Sequence, residues 1–271
     1  SFEHVQQVSN WIEPHVDQGQ EIIITALPLF HIFSFTVNCL TFLKIGSENV
    51  LIPNPRDLES FISVLSKKKF TVITAVNTLF NLLLTSKRFR DLDFSHFKFS
   101  VGGGMAVLSD TAHKWKEVTG TNITQGYGLT ETSPVVSINR ISDTFNGSIG
   151  LPVQSTKIKI IDDDGNSLER NQPGELCVQG PQVMSGYWKI QDEKNIYFTK
   201  DNFFKTGDIA TMNDKGYIKI VDRKKDMIIS SGYNVYPNEL EDYLAKHPDI
   251  LEAGVMESMI KIEVSISRHL L

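Results

Sequence analysis

Short apolar runs alternate with amphipathic stretches through the first half of the chain. The apolar runs have the length and the β-branched content of buried strands, and they occupy residues 22–26, 49–52, 71–74 and 97–101. Apolar positions at helical spacing predict helices at residues 33–43, 58–65, 77–84 and 110–118. Repeated alternation of strand and helix predicts an α/β fold, with a mostly parallel sheet subdomain and flanking helices over residues 1–139.

After residue 139 the pattern changes to short alternating strands separated by turn residues. Strands are predicted at residues 157–161, 174–179 and 217–221, and they indicate a small antiparallel β-barrel subdomain over residues 140–221. A basic segment follows, and then a helix that begins near Pro237 and ends at His247. Residues 222–271 form a third region, and the family resemblance described below implies that they are a hinge and the start of a small, incomplete α+β C-terminal domain.

Residues 22–43 carry no formal charge and are long enough to be weighed as a membrane span. Their composition argues against that interpretation. Three consecutive isoleucines favour a strand, Pro28 interrupts the run, and Ser34 and Asn38 would need hydrogen-bond partners in lipid. A buried strand, a turn and a buried helix are predicted instead.

Composition and charge narrow the class of protein. With 271 residues, 41% of them hydrophobic and 22% charged, the chain has the composition of a soluble globular protein with room for a second domain. The formal charge of −5 argues against a nucleic-acid-binding surface. Cys39 and Cys177 have no partners at metal-ligand spacing, and the first ten residues do not resemble a signal peptide, so we expect a cytoplasmic protein.

The densest group of chemically useful residues is the segment QGYGLTET at residues 125–132. Its glycines allow close approach of a ligand, Tyr127 can stack on a purine, Thr130 can donate to a phosphate, and Glu131 can hold Mg²⁺. Composition alone favours the alternative, a surface loop whose tyrosine covers the core. The three consecutive glycines at residues 102–104 likewise have two interpretations, a nucleotide-binding loop or a tight turn.

Two charged residues further along the chain could contact a nucleotide. Asp208 could accept hydrogen bonds from a ribose diol, and Arg223 could place a positive charge beside a phosphate or ribose. Each alone is more typical of a turn carboxylate or a solvated charge. Neither a Walker-type nor a Rossmann-type phosphate loop occurs in the sequence.

Taken together, these segments resemble the adenylate-forming superfamily of acyl-CoA synthetases, luciferases and peptide-synthetase adenylation domains. The resemblance is carried by YGLTE, TGD, DRKKD and SGYNVYPNE, which begin at residues 127, 206, 222 and 231. Further segments narrow it to bacterial long-chain fatty-acid CoA ligases; these are LPLFH, NTLF, GGGM, GSIGLP, GELCV and GYW, which begin at residues 27, 77, 102, 147, 174 and 186.

The resemblance implies a two-step ligase that uses ATP, Mg²⁺ and coenzyme A. A long-chain fatty acid would attack the α-phosphate of ATP, and the thiol of coenzyme A would then displace AMP. By position, Thr130, Glu131 and His31 would be catalytic, and Glu131 would hold the metal. The implied ATP and AMP site comprises Gly103, Gly104, Gln125, Gly126, Tyr127, Gly128, Thr130, Asp208 and Arg223.

The same resemblance implies roles for the end of the chain. Lys225 would be the hinge of a rotating C-terminal domain, and Ser231, Gly232 and Tyr233 would line the coenzyme A channel. For His31 the residues leave two interpretations open, placement of the substrate carboxylate or a satisfied core histidine. The resemblance also leaves open a homodimer and peripheral association with the inner face of the cytoplasmic membrane, and it implies no nucleic-acid partner.

Two parts of the family pattern are missing from this sequence. A phosphate-gripping loop should precede Ser1, and a lysine that stabilises the adenylation transition state should follow Leu271. Residues 256–271 also fit the family poorly. The hypothesis is that the chain is an internal segment of a ligase roughly twice this length and is inactive alone. The alternatives are that the protein is a fatty-acyl-AMP ligase, that it is specific for another acid, or that it is a nucleotide-binding fragment without catalysis.

Overall fold

The computed structural model describes residues 2–190, 196–230, 233–244, 247, 250, 253–257 and 263–266. It defines the helices α1 (Phe2–Ile12), α2 (Phe42–Ile45), α3 (Leu58–Leu65), α4 (Asn77–Thr85), α5 (Lys87–Arg90), α6 (Ser109–Thr119) and α7 (Pro237–Leu244). A π-helical segment spans Ser34–Thr41, and 3₁₀ turns span Glu13–His15 and Thr130–Thr132.

The strands are β1 (Ile22–Thr25), β2 (Glu48–Leu51), β3 (Val72–Ala75), β4 (Phe99–Gly102), β5 (Ile123–Gly128), β6 (Val135–Ile138), β7 (Leu151–Pro152), β8 (Lys157–Ile161), β9 (Gly174–Gln179), β10 (Phe204–Met212), β11 (Ile218–Arg223), β12 (Ile228–Ser230), β13 (Tyr233–Val235), β14 (Ala253–Met256) and β15 (Glu263–Ile266). Backbone contacts divide the chain into two compact units. The first contains Ser1–Lys157 and Gln179–Lys189, and the second contains Ile158–Val178 and Ile190–Leu271.

The first unit is built on a seven-stranded sheet with the order β2-β1-β3-β4-β5-β6-β7. Strands β2 to β5 run parallel, and β6 and β7 continue the sheet in antiparallel register. One apolar cluster joins the sheet to α3, α4 and α6, and a second joins it to α1 and the π-helical segment. Helices therefore cover the sheet through two separate cores, which confirms the predicted α/β class.

A buried polar network fastens the π-helical segment to the sheet. The Asn38 side chain donates to the hydroxyls of Thr25 (3.0 Å) and Thr74 (2.8 Å), and its oxygen accepts from Thr74 (2.9 Å). Asn49 donates to the Asn38 carbonyl (2.9 Å) and accepts from Thr25 (2.6 Å). Since these bonds reach β1, β2 and β3, they fix the segment above three strands at once.

Residues 22–43 thus form a strand, a loop and buried helical turns. No helix in the described part of the chain is long and apolar enough to span a membrane.

The second unit contains a four-stranded antiparallel sheet with the order β11-β10-β9-β8, as the alternating pattern predicted. Strands β12 and β13 form an antiparallel pair, as do β14 and β15. The buried Asp222 carboxylate accepts from the backbone N–H (3.1 Å) and the side-chain amide (3.0 Å) of Asn238 in the first turn of α7. This carboxylate ties the first helix after the basic segment to β11.

Most predicted elements occur within two residues of their expected bounds, and the differences are instructive. The apolar pattern did not predict α1, β6 or β10, and residues 125–128, predicted as a loop, form the end of β5. Residues 245–246, at the predicted end of α7, lie outside the described residues. The division into domains 1–139, 140–221 and 222–271 stays a prediction.

We expect replacement of Asn38 by leucine to destabilise the protein by about 1–3 kcal/mol, because two buried threonine hydroxyls would lose a partner. Chemical denaturation would measure the change in the free energy of unfolding. The control is Asn10→Ala, since the Asn10 amide bonds to Gln154 at an exposed position (2.8 Å); it should cost less than about 0.5 kcal/mol. Equal losses in both variants would contradict a special role for the buried network.

Candidate active site

The segments singled out in the first unit meet at one edge of its sheet. Residues 27–31 follow β1, residues 103–105 follow β4, and residues 129–131 follow β5. Because β1, β4 and β5 are parallel, their carboxyl ends lie at the same edge. Open α/β sheets bind ligands at this edge.

The glycine run after β4 lies directly beside the end of β5. Gly103 donates to the Ala75 carbonyl of β3 (3.3 Å). A Cβ added at Gly103 would lie 3.3 Å from the Phe33 ring and 3.4 Å from the Gly126 carbonyl. Gly103 is buried and Gly104 is exposed, so the run passes from the interior to the surface beside β5.

The end of β5 is an irregular strand. Gln125 is buried and its carbonyl accepts from the backbone (3.0 Å) and side chain (3.0 Å) of Asn139, while Tyr127 is half-buried opposite Ser137. The register with β6 shifts between Tyr127 and Gly128. Irregular pairing of this kind redirects the chain at the rim of a sheet.

Gly128 is packed against the backbone of the following turn. A Cβ at this position would overlap the carbonyl group of Pro134, which belongs to the main chain and cannot rotate away. Leu129 then donates to the Pro134 carbonyl (3.1 Å) and to the Thr132 hydroxyl (3.0 Å). The buried Thr132 therefore holds the turn from inside, while Thr130 is exposed and Glu131 is half-buried.

A segment that is distant in sequence contacts this turn. The Tyr187 hydroxyl donates to Glu131 Oε1 (2.7 Å), and the Met184 N–H donates to the Glu131 carbonyl (2.8 Å). Gly186, Tyr187 and Trp188 belong to a segment that carries the family resemblance, but the sequence pattern indicates no role for them. No periodicity or spacing links Tyr187 to Glu131, because 56 positions separate them.

His31 is exposed, which rules out the interpretation of a core histidine. Its Nδ1 accepts a hydrogen bond from the Phe33 N–H (3.2 Å). In the neutral ring the proton then belongs on Nε2, which becomes a donor.

In the second unit, Asp208 and Arg223 are direct cross-strand partners on β10 and β11. Asp208 is buried within a strand, so the alternative of a solvated turn carboxylate does not hold. The Arg223 Nε lies 3.7 Å from Asp208 Oδ1, and the arginine side chain is 59% exposed against 10% for the aspartate. The pair combines a fixed carboxylate with a solvated guanidinium.

Two further charged residues brace the irregular stretch of β10 that contains Gly207 and Asp208. The Glu175 carboxylate accepts from the Gly207 N–H (3.3 Å) and from Lys224 Nζ (3.2 Å), and the Lys224 N–H donates to the Gly207 carbonyl (2.8 Å). Lys224 Nζ also lies 2.8 Å from Asp163, and the hydrogen bond to that carboxylate is the main cause that raises the pKa of Lys224. Glu175 lies in the GELCV segment, but its contact with the TGD segment could not be predicted without the three-dimensional structure.

The remaining predicted residues belong to the second unit. Lys225 is exposed in the turn between β11 and β12. The backbone of Tyr233 begins β13, opposite Ser230. Ser231 and Gly232 lie outside the described residues. The structure thus groups Gly103, Gly126, Tyr127, Thr130 and Glu131 in one unit, and Asp208 and Arg223 in the other.

The donor set at the turn fits Mg²⁺ held together with a phosphate substrate. Within the described ranges, no group of three His, Cys, Asp or Glu residues could hold a metal ion alone. Mg²⁺ is typically bound through one or two carboxylates, substrate phosphates and water. Glu131, half-buried at the rim of the sheet, offers one such carboxylate.

Comparison with known proteins decides the family. Residues 2–188 match the AMP-binding enzyme family. This chain belongs to that family. A long-chain-fatty-acid–CoA ligase of Escherichia coli O157:H7 is 50% identical over 254 residues, which are 93% of this chain and 45% of the relative. The chain therefore spans about half the length of the curated relatives it matches.

Two solved structures, one with bound ATP and one with anthranoyl-AMP, share the fold. The ATP-bound MatB of Rhodopseudomonas palustris is 27% identical with a TM-score of 0.84, over 94% of this chain and 50% of that one. The anthranilate CoA ligase AuaEII, solved with anthranoyl-AMP, is 25% identical with a TM-score of 0.87, over 97% of this chain and 51% of that one.

We expect Gly128→Ala to displace the turn that carries Thr130 and Glu131, because the new methyl group overlaps main-chain atoms of Pro134. Relief of such overlap costs about 1–3 kcal/mol, and binding of an ATP analogue should weaken at the same time. Denaturation and calorimetric titration would measure the two effects. Gly254→Ala is the matched control, since nothing lies within 4 Å of a Cβ added there; loss of binding in the control as well would contradict the explanation.

Proposed function

We propose that the protein activates a long-chain fatty acid with ATP and transfers it to coenzyme A, giving fatty acyl-CoA, AMP and pyrophosphate. The observation that carries this proposal is the 50% identity to a long-chain-fatty-acid–CoA ligase over 93% of the chain. A carboxylate is a poor electrophile, so conversion to a mixed anhydride with AMP is what makes attack by a thiol feasible.

In this proposal the first unit holds the adenine and the reacting phosphate. Tyr127 stacks on adenine beside Gly103 and Gly104, with Gln125, Gly126 and Gly128 forming the strand end beneath it. The exposed Thr130 hydroxyl donates to the α-phosphate. Glu131 holds Mg²⁺, which when bound neutralises phosphate charge and favours departure of pyrophosphate.

His31 places the fatty-acid carboxylate. Its Nδ1 accepts from the Phe33 N–H, so Nε2–H is the ring group that can donate to an oxygen of the substrate carboxylate. That hydrogen bond would orient the carboxylate for attack on phosphorus.

The second unit supplies the ribose contacts. Asp208 accepts from the ribose hydroxyls, and Arg223 adds positive charge beside the ribose and phosphate. Glu175 and Lys224 hold Gly207, the residue before Asp208 in β10, and so help to position the Asp208 carboxylate for the ribose.

A hinge at Lys225 separates the two half-reactions. Rotation of the C-terminal domain would bring Ser231, Gly232 and Tyr233 to the coenzyme A channel for the second step. The homodimer and the peripheral membrane association stay predictions.

The test of the proposal is thioester formation in the natural full-length protein, with palmitate, ATP and coenzyme A followed by acyl-CoA chromatography. Release of palmitoyl-adenylate without thioester would instead identify a fatty-acyl-AMP ligase. Failure with palmitate but turnover with a shorter or aromatic acid would identify another acid specificity.

Two carboxylate variants should behave differently. Glu131→Gln should lower the rate of adenylation by about 100-fold or more, because the metal loses its anionic ligand. Asp208→Asn should mainly raise the KM for ATP, by about 10–100-fold, since it weakens a charged hydrogen bond to bound ribose. Pyrophosphate release gives both constants, and an unchanged adenylation rate in Glu131→Gln would refute the metal role.

The hinge assignment predicts a split between half-reactions. Lys225→Pro restricts the backbone dihedral at the proposed pivot, so thioester formation should slow more than adenylation. Single-turnover measurements of each step would show the split. Lys219→Ala, on β11 and likewise exposed, serves as the control; equal slowing of both steps in Lys225→Pro would count against domain rotation.

A further inference from the structure

Tyr187 contacts a residue of the proposed metal site through its side chain, although the two residues are far apart in the sequence. Its hydroxyl donates to Glu131 Oε1 at 2.7 Å, and its side chain is partly exposed at the surface. Removal of such an accessible hydrogen bond costs a protein little stability, because water can replace the lost partner. The contact is therefore better explained by what it does to the carboxylate than by a contribution to folding.

The segment that carries Tyr187 is itself anchored to the turn. Ser133 Oγ donates to the Gln182 carbonyl (3.0 Å), and the Met184 N–H donates to the Glu131 carbonyl (2.8 Å). Gln182 is 2% exposed, and its amide donates to the Val135 carbonyl (3.2 Å) and to Thr156 Oγ1 (2.7 Å). These bonds fix the backbone that leads to Tyr187 on both sides of the Glu131 turn.

Gly186 precedes the tyrosine. Its φ of +150° is a conformation that residues with a Cβ rarely adopt. Glycine therefore permits the backbone conformation from which the Tyr187 hydroxyl contacts Glu131.

A free glutamate side chain explores many rotamers, and fixing it in one of them costs conformational entropy. A partner already in place removes part of that cost before the metal binds. The carboxylate has about four acceptor positions. A single hydrogen bond on Oε1 therefore leaves capacity for a cation.

We propose that Tyr187 is a positioning residue that holds the Glu131 carboxylate ready for the metal that accompanies ATP. This inference rests on the proposed function, in which Glu131 binds Mg²⁺. Residues that orient a metal ligand typically affect metal affinity by about 10–100-fold when they are removed.

The experiment measures binding rather than turnover. The natural full-length protein is titrated calorimetrically with α,β-methylene-ATP, which cannot release pyrophosphate, once with saturating Mn²⁺ and once with EDTA. The ratio of the two Kd values measures how much the metal increases the affinity of the protein for the nucleotide. Tyr187→Phe keeps the ring and removes only the hydroxyl, and Tyr217→Phe, in the segment between β10 and β11, is the matched control.

We expect Tyr187→Phe to reduce the metal-dependent gain in affinity by about tenfold and to leave Kd in EDTA unchanged. The melting temperature should stay within about 2 °C of the wild-type value, since the bond is exposed. Tyr217→Phe should change neither Kd. In a Glu131→Gln background, Tyr187→Phe should have no further effect, because the two residues act through one carboxylate.

The outcomes separate the two proposals. If Glu131→Gln keeps the full metal-dependent gain, the metal role of Glu131 fails, and the role of Tyr187 fails with it. If Glu131→Gln loses the gain but Tyr187→Phe retains it, only the positioning role is overturned. Equal weakening with and without Mn²⁺ in Tyr187→Phe would reveal a structural effect and would also overturn it.

Discussion

The close approach of the Gly128 backbone to the Pro134 carbonyl constrains the turn that follows β5. The buried Thr132 fixes that turn from inside. Thr130 and Glu131 are thereby held at the carboxyl edge of the sheet. A preorganised site of this kind avoids reorganisation when charge develops during a reaction.

In the second unit, charged residues rather than close backbone packing position the carboxylate of the candidate site. Glu175 and Lys224 connect β9, Gly207 of β10 and the end of β11, so Asp208 is held by a network that is anchored on three strands. The Lys224 ammonium lies between the carboxylates of Asp163 and Glu175, and its hydrogen bonds to them raise its pKa. Screening by solvent makes each exposed pair weak, and the network acts by limiting geometry more than by adding stability.

Local pattern predicted the order of strands and helices well, because periodicity reports which face of an element is buried. It failed where tertiary pairing overrides composition. The glycine-rich end of β5 has the composition of a loop, yet it pairs with β6, which the sequence analysis did not identify. Contacts such as Tyr187 with Glu131, and Glu175 with Gly207, join residues far apart in the chain. Their geometry exists only after the two segments fold together, so no local signal encodes it.

The polar residues of the chain fall into two physical classes, and the difference explains how stability and chemistry coexist. Asn38 and Asp222 are buried with their hydrogen bonds made inside the protein, so they hold elements together. Three residues, His31, Thr130 and Glu131, remain in contact with solvent. A ligand can displace the water molecules bound to them at little cost in free energy. Asp222 lies three positions before Lys225 and binds α7 beyond it. Rotation at the proposed hinge would therefore break the hydrogen bonds that this buried carboxylate makes to α7 and expose the carboxylate to water. The orientation that keeps these bonds is then lower in energy than the rotated one, unless new contacts in the rotated orientation compensate for their loss.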